Sequence, residues 1–261
     1  MSIYVGVGGW VYPEWRQTFY PEGLPQKREL EYAAAHLTAI EINGTYYGSQ
    51  KPESFRRWRD ETPKGFIFTV KGPRFATNRR ALAESGGSIE KFFASGVTEL
   101  KEKLGAVNWQ FMATKKFDAG DFEAFLKLLP RQVDGLAIRH AVEVRHDSFK
   151  DAGFVALCRK YGVAIVTGAD SDFPVIADVT ADFVYVRIMG TQAKEELGYP
   201  KAALKKWAAR AMEWEKGGAP KDFKLLAPAM PKKKRDVFLF VISGAKERNP
   251  AAALGLIAEL P

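Results

Sequence analysis

The chain has 261 residues, 46% of them hydrophobic and 27% charged, an ordinary globular composition with enough apolar side chain for a large core. A single cysteine, Cys158, excludes an intramolecular disulfide and a Cys-rich metal site. The formal net charge of +8 favours an anionic partner, although the same excess serves solubility when it is spread over helices.

The first ten residues carry no basic n-region and no apolar h-region, so no signal peptide is expected. No apolar run reaches the roughly 18 residues needed to span a bilayer. The expectation is a cytoplasmic protein with no membrane association.

Short apolar runs alternate with amphipathic stretches along the whole chain. Ile3 to Val7 reads as a strand ending in Gly8-Gly9, and Arg28 to Leu37 as a helix. Thr38 to Asn43 is a second strand, followed by a helix from Pro52 to Glu61 with proline in its first turn. Phe66 to Lys71 is a third strand and Ser88 to Leu104 a third helix. A fourth strand at Val107 to Phe111 precedes a helix at Asp121 to Leu129. Ile138 to Arg145 is the fifth strand, Asp151 to Tyr161 a helix, and Val163 to Gly168 the sixth strand. The segment Ser171 to Thr180 is short and carries Pro174, so the helix after strand six is expected to be short or missing. Phe183 to Ile188 is the seventh strand, Lys201 to Lys216 a helix, Asp236 to Ile242 the eighth strand and Pro250 to Leu260 the closing helix.

Eight strands alternating with helices imply a parallel α/β sheet that right-handed crossovers can close into a single TIM-type (β/α)8 barrel over residues 1–261. The open doubly wound sheet is the alternative. Gly217 to Pro231 reads as a long loop, and the run Lys232-Lys233-Lys234-Arg235 behind it abuts an apolar strand. Flanking charge of that kind suppresses aggregation, and the competing reading is a phosphate-binding arm.

Strand side chains alternate between faces, so one parity of a barrel strand faces its interior. Glu41 and Asn43 share a parity opposite Ile40 and Ile42. Thr69 and Lys71 oppose Phe68 and Val70; Glu143 and Arg145 oppose Val142 and Val144; Tyr185 and Arg187 oppose Val184 and Val186. Asn108 and Gln110 share a face of the fourth strand, and Asp170 follows the sixth. The polar parity is most polar toward the C-terminal strand ends, where barrel active sites lie. Buried charge is costly unless paired, so the collection is either a site or a self-neutralising plug of Glu41, Glu143 and Asp170 against Lys71, Arg145 and Arg187.

As a site it suits a small anionic ligand. Lys71, Arg74, Arg145 and Arg187 would grip a phosphate or carboxylate. Glu143 would be the general acid/base, with Glu41 and Asp170 as further catalytic carboxylates, and Asn43 and Gln110 would orient the substrate. His146 is a candidate ligand contact, acid/base or loop anchor, whereas His36 and His140 read as structural. Trp10 and Tyr46, from aromatic clusters after strands one and two, would wall the mouth. No cofactor is expected: Gly6-Val7-Gly8-Gly9 lacks the dinucleotide spacing, and neither a P-loop nor a G-x-S-x-G elbow is present. A metal would have to use Glu41, Glu143, Asp170 and His146 beside competing cations, so none is expected.

Six segments resemble the YecE-like proteins, the domain-of-unknown-function family 72. They are Gly8-Gly9-Trp10-Val11-Tyr12, Phe19-Tyr20-Pro21, Glu41-Ile42-Asn43-Gly44-Thr45-Tyr46-Tyr47, Phe68-Thr69-Val70-Lys71-Gly72-Pro73-Arg74, Glu143-Val144-Arg145-His146-Asp147-Ser148 and Thr180-Ala181-Asp182-Phe183-Val184-Tyr185-Val186-Arg187. The resemblance runs from about residue 3 to the eighth strand; it implies a TIM-type barrel and supplies no reaction. Two walls depart from the family pattern. Gln110 is followed by Phe111-Met112-Ala113 rather than Leu-Pro-Pro, and the eighth strand ends Ser243-Gly244-Ala245-Lys246 rather than in an Asn-rich acidic segment.

Three function classes remain at this point. The first is an enzyme, or the remnant of one, with hydrolase-, lyase- or isomerase-type chemistry on a small anionic substrate. The second is a weak nucleic-acid-binding or processing protein, and the third a non-catalytic scaffold. The oligomeric state is not readable.

Overall fold

A computed structural model describes residues 2–261. Eight parallel strands close into a barrel: β1 (Ile3–Gly8), β2 (Ala39–Ile42), β3 (Ile67–Lys71), β4 (Leu104–Gln110), β5 (His140–Glu143), β6 (Ala164–Ala169), β7 (Phe183–Ile188) and β8 (Asp236–Val241). Each pairs with its sequence neighbours, and β1 pairs with β8 from Ile3↔Val237 to Val7↔Val241, which leaves no free edge. The helices outside are α1 (Glu29–His36), α2 (Pro52–Asp60), α3 (Gly86–Ala94), α4 (Ala119–Leu128), α5 (Ala152–Tyr161), α6 (Lys201–Glu215) and α7 (Asn249–Ala258). Among the described residues no helix is long and apolar enough to cross a membrane.

Local chemistry sets several boundaries. The Asp118 carboxylate accepts from the Asp121 amide at the start of α4, and Asp151 accepts from the Gly153 and Phe154 amides at the start of α5. Gly162, at φ 65°, ends α5 in the left-handed conformation that glycine adopts at low cost. The single helix expected from Ser88 to Leu104 is instead α3 followed by a 3-10 segment, Val97–Lys103. The break is at Gly96, with φ 92°, where a Cβ would lie 2.8 Å from Pro52 of α2. A close approach of two helices, invisible to periodicity, decided that boundary.

The strand parity holds. Ile40, Ile42, Phe68, Val70, Val142, Val184 and Val186 pack in the large cluster between sheet and helices. A separate cluster fills the barrel itself. There, Ala39, Ala106, Ala141 and Ala164 on one side leave room for Phe183, Tyr185, Phe238 and Phe240 from β7 and β8. Small against large gives dense packing without strain. The N-terminal end is closed by Arg139, which pairs with Asp236 at 2.9 Å and lies over the Phe183 and Phe238 rings.

The β6–β7 connection has no helix. Its extended chain is held along β6 by hydroxyls instead. The Thr180 hydroxyl donates to the Val163 carbonyl at 2.6 Å and accepts from the Ile165 amide, and the Thr167 hydroxyl donates to the Ile176 carbonyl. Ile176, Ala177 and Val179 supply the apolar cover that a helix provides elsewhere.

Candidate functional site

The top interior layer of the barrel is polar and almost wholly buried. Glu41, Lys71, Asn108, Gln110, Glu143 and Arg187 each expose 8% or less of their surface. Register brings them together: Lys71 pairs with Asn108, Gln110 with Glu143 and Gly168 with Arg187, one strand after the next.

Arg187 is the centre. One terminal nitrogen donates to Glu143 Oε2 at 2.5 Å and the other to Glu41 Oε1 at 3.0 Å. The Tyr185 hydroxyl donates to Glu41 Oε2 at 2.6 Å and also bonds Thr69, at 2.8 Å. Asn108 Nδ2 bridges the two carboxylates at 3.4 and 3.2 Å. Arg145, two residues beyond the end of β5, reaches back with two nitrogens to Glu143 Oε1 at 3.0 and 2.7 Å. Its guanidinium is covered by the Phe173 ring, 4.4 Å away, from the helix-less β6–β7 segment.

Above this layer lies a cavity of about 290 Å3. Arg187, Lys71, Gln110, Asn43 and Arg145 line its deep part, and Tyr12, Tyr46, Tyr47, Ser243 and Lys246 its mouth. Lys71 donates to Gln110 Oε1 at 2.5 Å and sits 5.6 Å from the Tyr46 ring centre. Gly8 makes room for Asn43, since a Cβ there would lie 2.6 Å from Asn43 Nδ2. Among the described residues seven buried side-chain polar atoms have no hydrogen-bond partner, and three of them gather here: Arg187 Nε, Asn108 Oδ1 and Asn43 Oδ1. Such orphans are uncommon in a finished core and mark where a further group can bind.

Charge follows from this geometry. Burial alone would raise the Glu143 carboxyl, but the Arg187, Lys71 and Arg145 cations outweigh it and hold it at about 2. Burial opposes the Arg187 charge, and Glu143 and Glu41 more than restore it. Lys71 is brought down to about 8, first by burial and then by Arg187. Glu143 is therefore ionised throughout the neutral range, and both its oxygens are occupied by cations. That is poor equipment for the general acid/base expected of it. The group poised near neutrality is Lys71.

Of the other candidates, some do not reach the cavity. Asp170 adopts φ 57° and points to the helices, accepting from the Tyr199 hydroxyl at 3.0 Å and Trp207 Nε1 at 3.1 Å. His146 folds over its own loop, where Nδ1 accepts from the Ser148 amide. Trp10 follows Gly9, which has φ 78°, and packs edge-on to Trp58 in a neighbouring cleft. Arg74 is exposed over Tyr47 and Phe75 at the outer rim. The polar lining residues that were not among the sequence candidates include Ser243, Lys246 and Asn249. For Ser243, Lys246 and Asn249 the available signal was position, because the loop after the last strand opens on the same end as every other βα loop.

Among the described residues no three His, Cys, Asp or Glu side chains group as a metal site. His140 accepts from Trp109 Nε1 and contacts the Pro130 carbonyl, and His36 stacks on Tyr32; both are structural. Lys232, Lys233 and Lys234 are exposed just before β8 begins, at the opposite end of the barrel from the cavity. The basic run and the aromatic mouth therefore form no common surface.

A family model described as "Protein of unknown function DUF72" matches residues 4–261. The YecE protein of Escherichia coli K12 is 31% identical over 150 residues, 56% of this chain and 50% of that protein. YunF of Bacillus subtilis 168 is 26% identical over 114 residues, 42% of this chain and 39% of that protein. The alignments thus span half or less of these curated relatives. A DUF72 protein of Thermotoga maritima MSB8, at 22% identity, superposes with a TM-score of 0.76 over 99% of this chain and 98% of its own. One from Enterococcus faecalis V583, at 16% identity, gives 0.74 over 99% and 95%. The solved structures establish the likeness of fold, and the family match over almost the whole sequence establishes that this chain belongs to the DUF72 family.

Proposed function

We propose that the cavity is the site of an enzyme acting on a small anionic substrate, whose phosphate or carboxylate is held by Lys71, Arg145, Arg187 and Lys246. The observation that carries the reading is an imbalance. Glu41 and Glu143 are consumed by Arg187 and Arg145, while Lys71 and Lys246 face the cavity with no ion-pair partner among the described residues. A plug that existed only to neutralise itself would not leave cations over. Arg145 spends Nε and one terminal nitrogen on Glu143, which leaves its other terminal nitrogen for a ligand. Arg187 Nε is free in the same way.

Calorimetric titration of inorganic phosphate and phosphorylated metabolites into wild type, Lys246→Ala and Arg145→Ala tests the reading. Charged hydrogen bonds are worth about 1.5–3 kcal/mol each, so Arg145→Ala should cost roughly ten- to hundredfold in affinity. Lys246→Ala, at the exposed rim, should cost several-fold and leave the melting temperature unchanged. Wild-type protein that binds no anion would return the layer to the role of a scaffold.

A further inference from the structure

Among the described residues two lysines expose very little of their surface, Lys71 at 7% and Lys103 at 6%. They are built differently. The Lys103 ammonium donates to three oxygens, the Arg59 carbonyl at 2.6 Å, the Thr62 carbonyl at 2.6 Å and the Thr62 hydroxyl at 3.0 Å. That is a structural lysine, with one acceptor for each of its protons. Lys71 has one acceptor, the side-chain oxygen of Gln110, and it ends in a cavity. A lysine placed for stability alone would have collected partners as Lys103 does.

We propose that Lys71 is a nucleophile that condenses with the carbonyl carbon of a small anionic oxo compound to form an imine. The inference rests on the anion-binding reading of the cavity, leaves the anion to Arg145, Arg187 and Lys246 so that Lys71 is free to react, and adds the substrate class: a ketone or aldehyde carrying a carboxylate or phosphate.

Three features of the site support it. The amine is desolvated and lies beside the Arg187 cation, the two conditions that free a lysine amine for attack at neutral pH. Both act in the same direction and bring Lys71 to about 8, so a useful fraction is neutral near pH 7.5. The anchoring charges stand apart from it: Arg145 comes from beyond β5 and Lys246 from beyond β8, on other walls of the same cavity. An anionic group held there leaves the rest of a short substrate facing Nζ. The Tyr46 ring covers the amine on a further side and limits water at the new bond.

The step balances without another reactant. The neutral amine attacks the carbonyl carbon, a C–N bond forms, and the carbonyl oxygen departs as water with the two protons the amine gives up. Nothing is oxidised or reduced. The resulting imine, once protonated, draws electrons from the neighbouring carbon, which is what lyase- and isomerase-type reactions of oxo acids and sugar phosphates need.

The test is reductive trapping on the full chain. Pyruvate and dihydroxyacetone phosphate serve as the carboxylate and phosphate probes, each reduced with borohydride and followed by peptide mapping. The expected result is a single secondary amine on Lys71 with one or both probes. Its rate should rise with pH about a midpoint near 8, whereas ordinary lysines, at about 10.4, react later. Inorganic phosphate should protect Lys71, because it occupies the anchor that the probes need. Lys71→Arg should give no adduct on this peptide, while slow reduction at the remaining lysines is unchanged. Should Lys71→Arg fail to fold, wild-type mapping with phosphate protection still decides. Phosphate binding without a Lys71 adduct from either probe overturns the imine and leaves the anion site standing. Neither binding nor trapping overturns both.

Discussion

Replacing Glu143 by glutamine should remove one of the main fastenings of the barrel's polar layer. Its carboxylate takes two nitrogens of Arg145, one of Arg187 and the Asn108 amide. Burial would raise its pKa, yet the surrounding cations lower it from the usual 4.5 to about 2. At about 1.4 kcal/mol per tenfold change in proton affinity, that difference corresponds to roughly 3 kcal/mol. Breaking a buried pair from one side costs about 3–5 kcal/mol, which agrees. Glu143→Gln should therefore lose about 3 kcal/mol in urea unfolding at pH 7.

The acid dependence provides a second readout. The folded carboxyl has the depressed pKa, so the unfolded chain takes up its proton first as pH falls. The contribution is complete above pH 4.5 and is lost between there and about pH 2. The wild type should show this slope and Glu143→Gln should lack it, so the gap between them narrows as the solution becomes acidic. A loss below about 1 kcal/mol at pH 7, with a wild-type acid slope, would refute the role assigned to Glu143.

Three other outcomes follow from the same layer and its surroundings. Tyr185→Phe removes the hydroxyl shared by Thr69 and Glu41 and should cost about 1–3 kcal/mol by chemical denaturation, with the unpaired carboxylate oxygen as the reason. Asp170→Asn keeps a residue that tolerates φ 57° but weakens the hydrogen bonds from Tyr199 and Trp207. It should lower the melting temperature and leave phosphate affinity unchanged; reduced affinity at unchanged stability would return Asp170 to the site. Elemental analysis of purified protein should find no stoichiometric zinc, iron or manganese, because Lys71, Arg145 and Arg187 crowd the carboxylates that a metal would need.

What the sequence made legible was the part governed by strict periodicity. A period of two assigned Glu41, Lys71, Gln110, Glu143 and Arg187 to one interior layer, because each lies within or at the end of a strand. Parity stops meaning anything once the chain leaves the sheet. Gly9 at φ 78° turns Trp10 aside, and Asp170 at φ 57° turns its own side chain toward α6. Lys246 escaped notice for the converse reason, since it enters the mouth from a loop that no pattern places. The role of Glu143 was not legible either. Nearness of opposite charges can be inferred from strand position, but the number of cations on each carboxylate oxygen sets the protonation state. That number depends on how Arg145 bends back, not on spacing. The helix-less β6–β7 segment was legible from Pro174 and its length, whereas its use of Phe173 to cover Arg145 was not.

A crystal soaked in phosphate tests the central claim most directly. The account expects the anion in the cavity above Arg187, with oxygens within hydrogen-bonding reach of at least two of Lys71, Arg145, Arg187 and Lys246. Glu41 and Glu143 should remain beneath it in their ion pairs. An anion bound only elsewhere, or a cavity that stays unoccupied while Lys71 and Arg145 are fully engaged by protein groups, would contradict it.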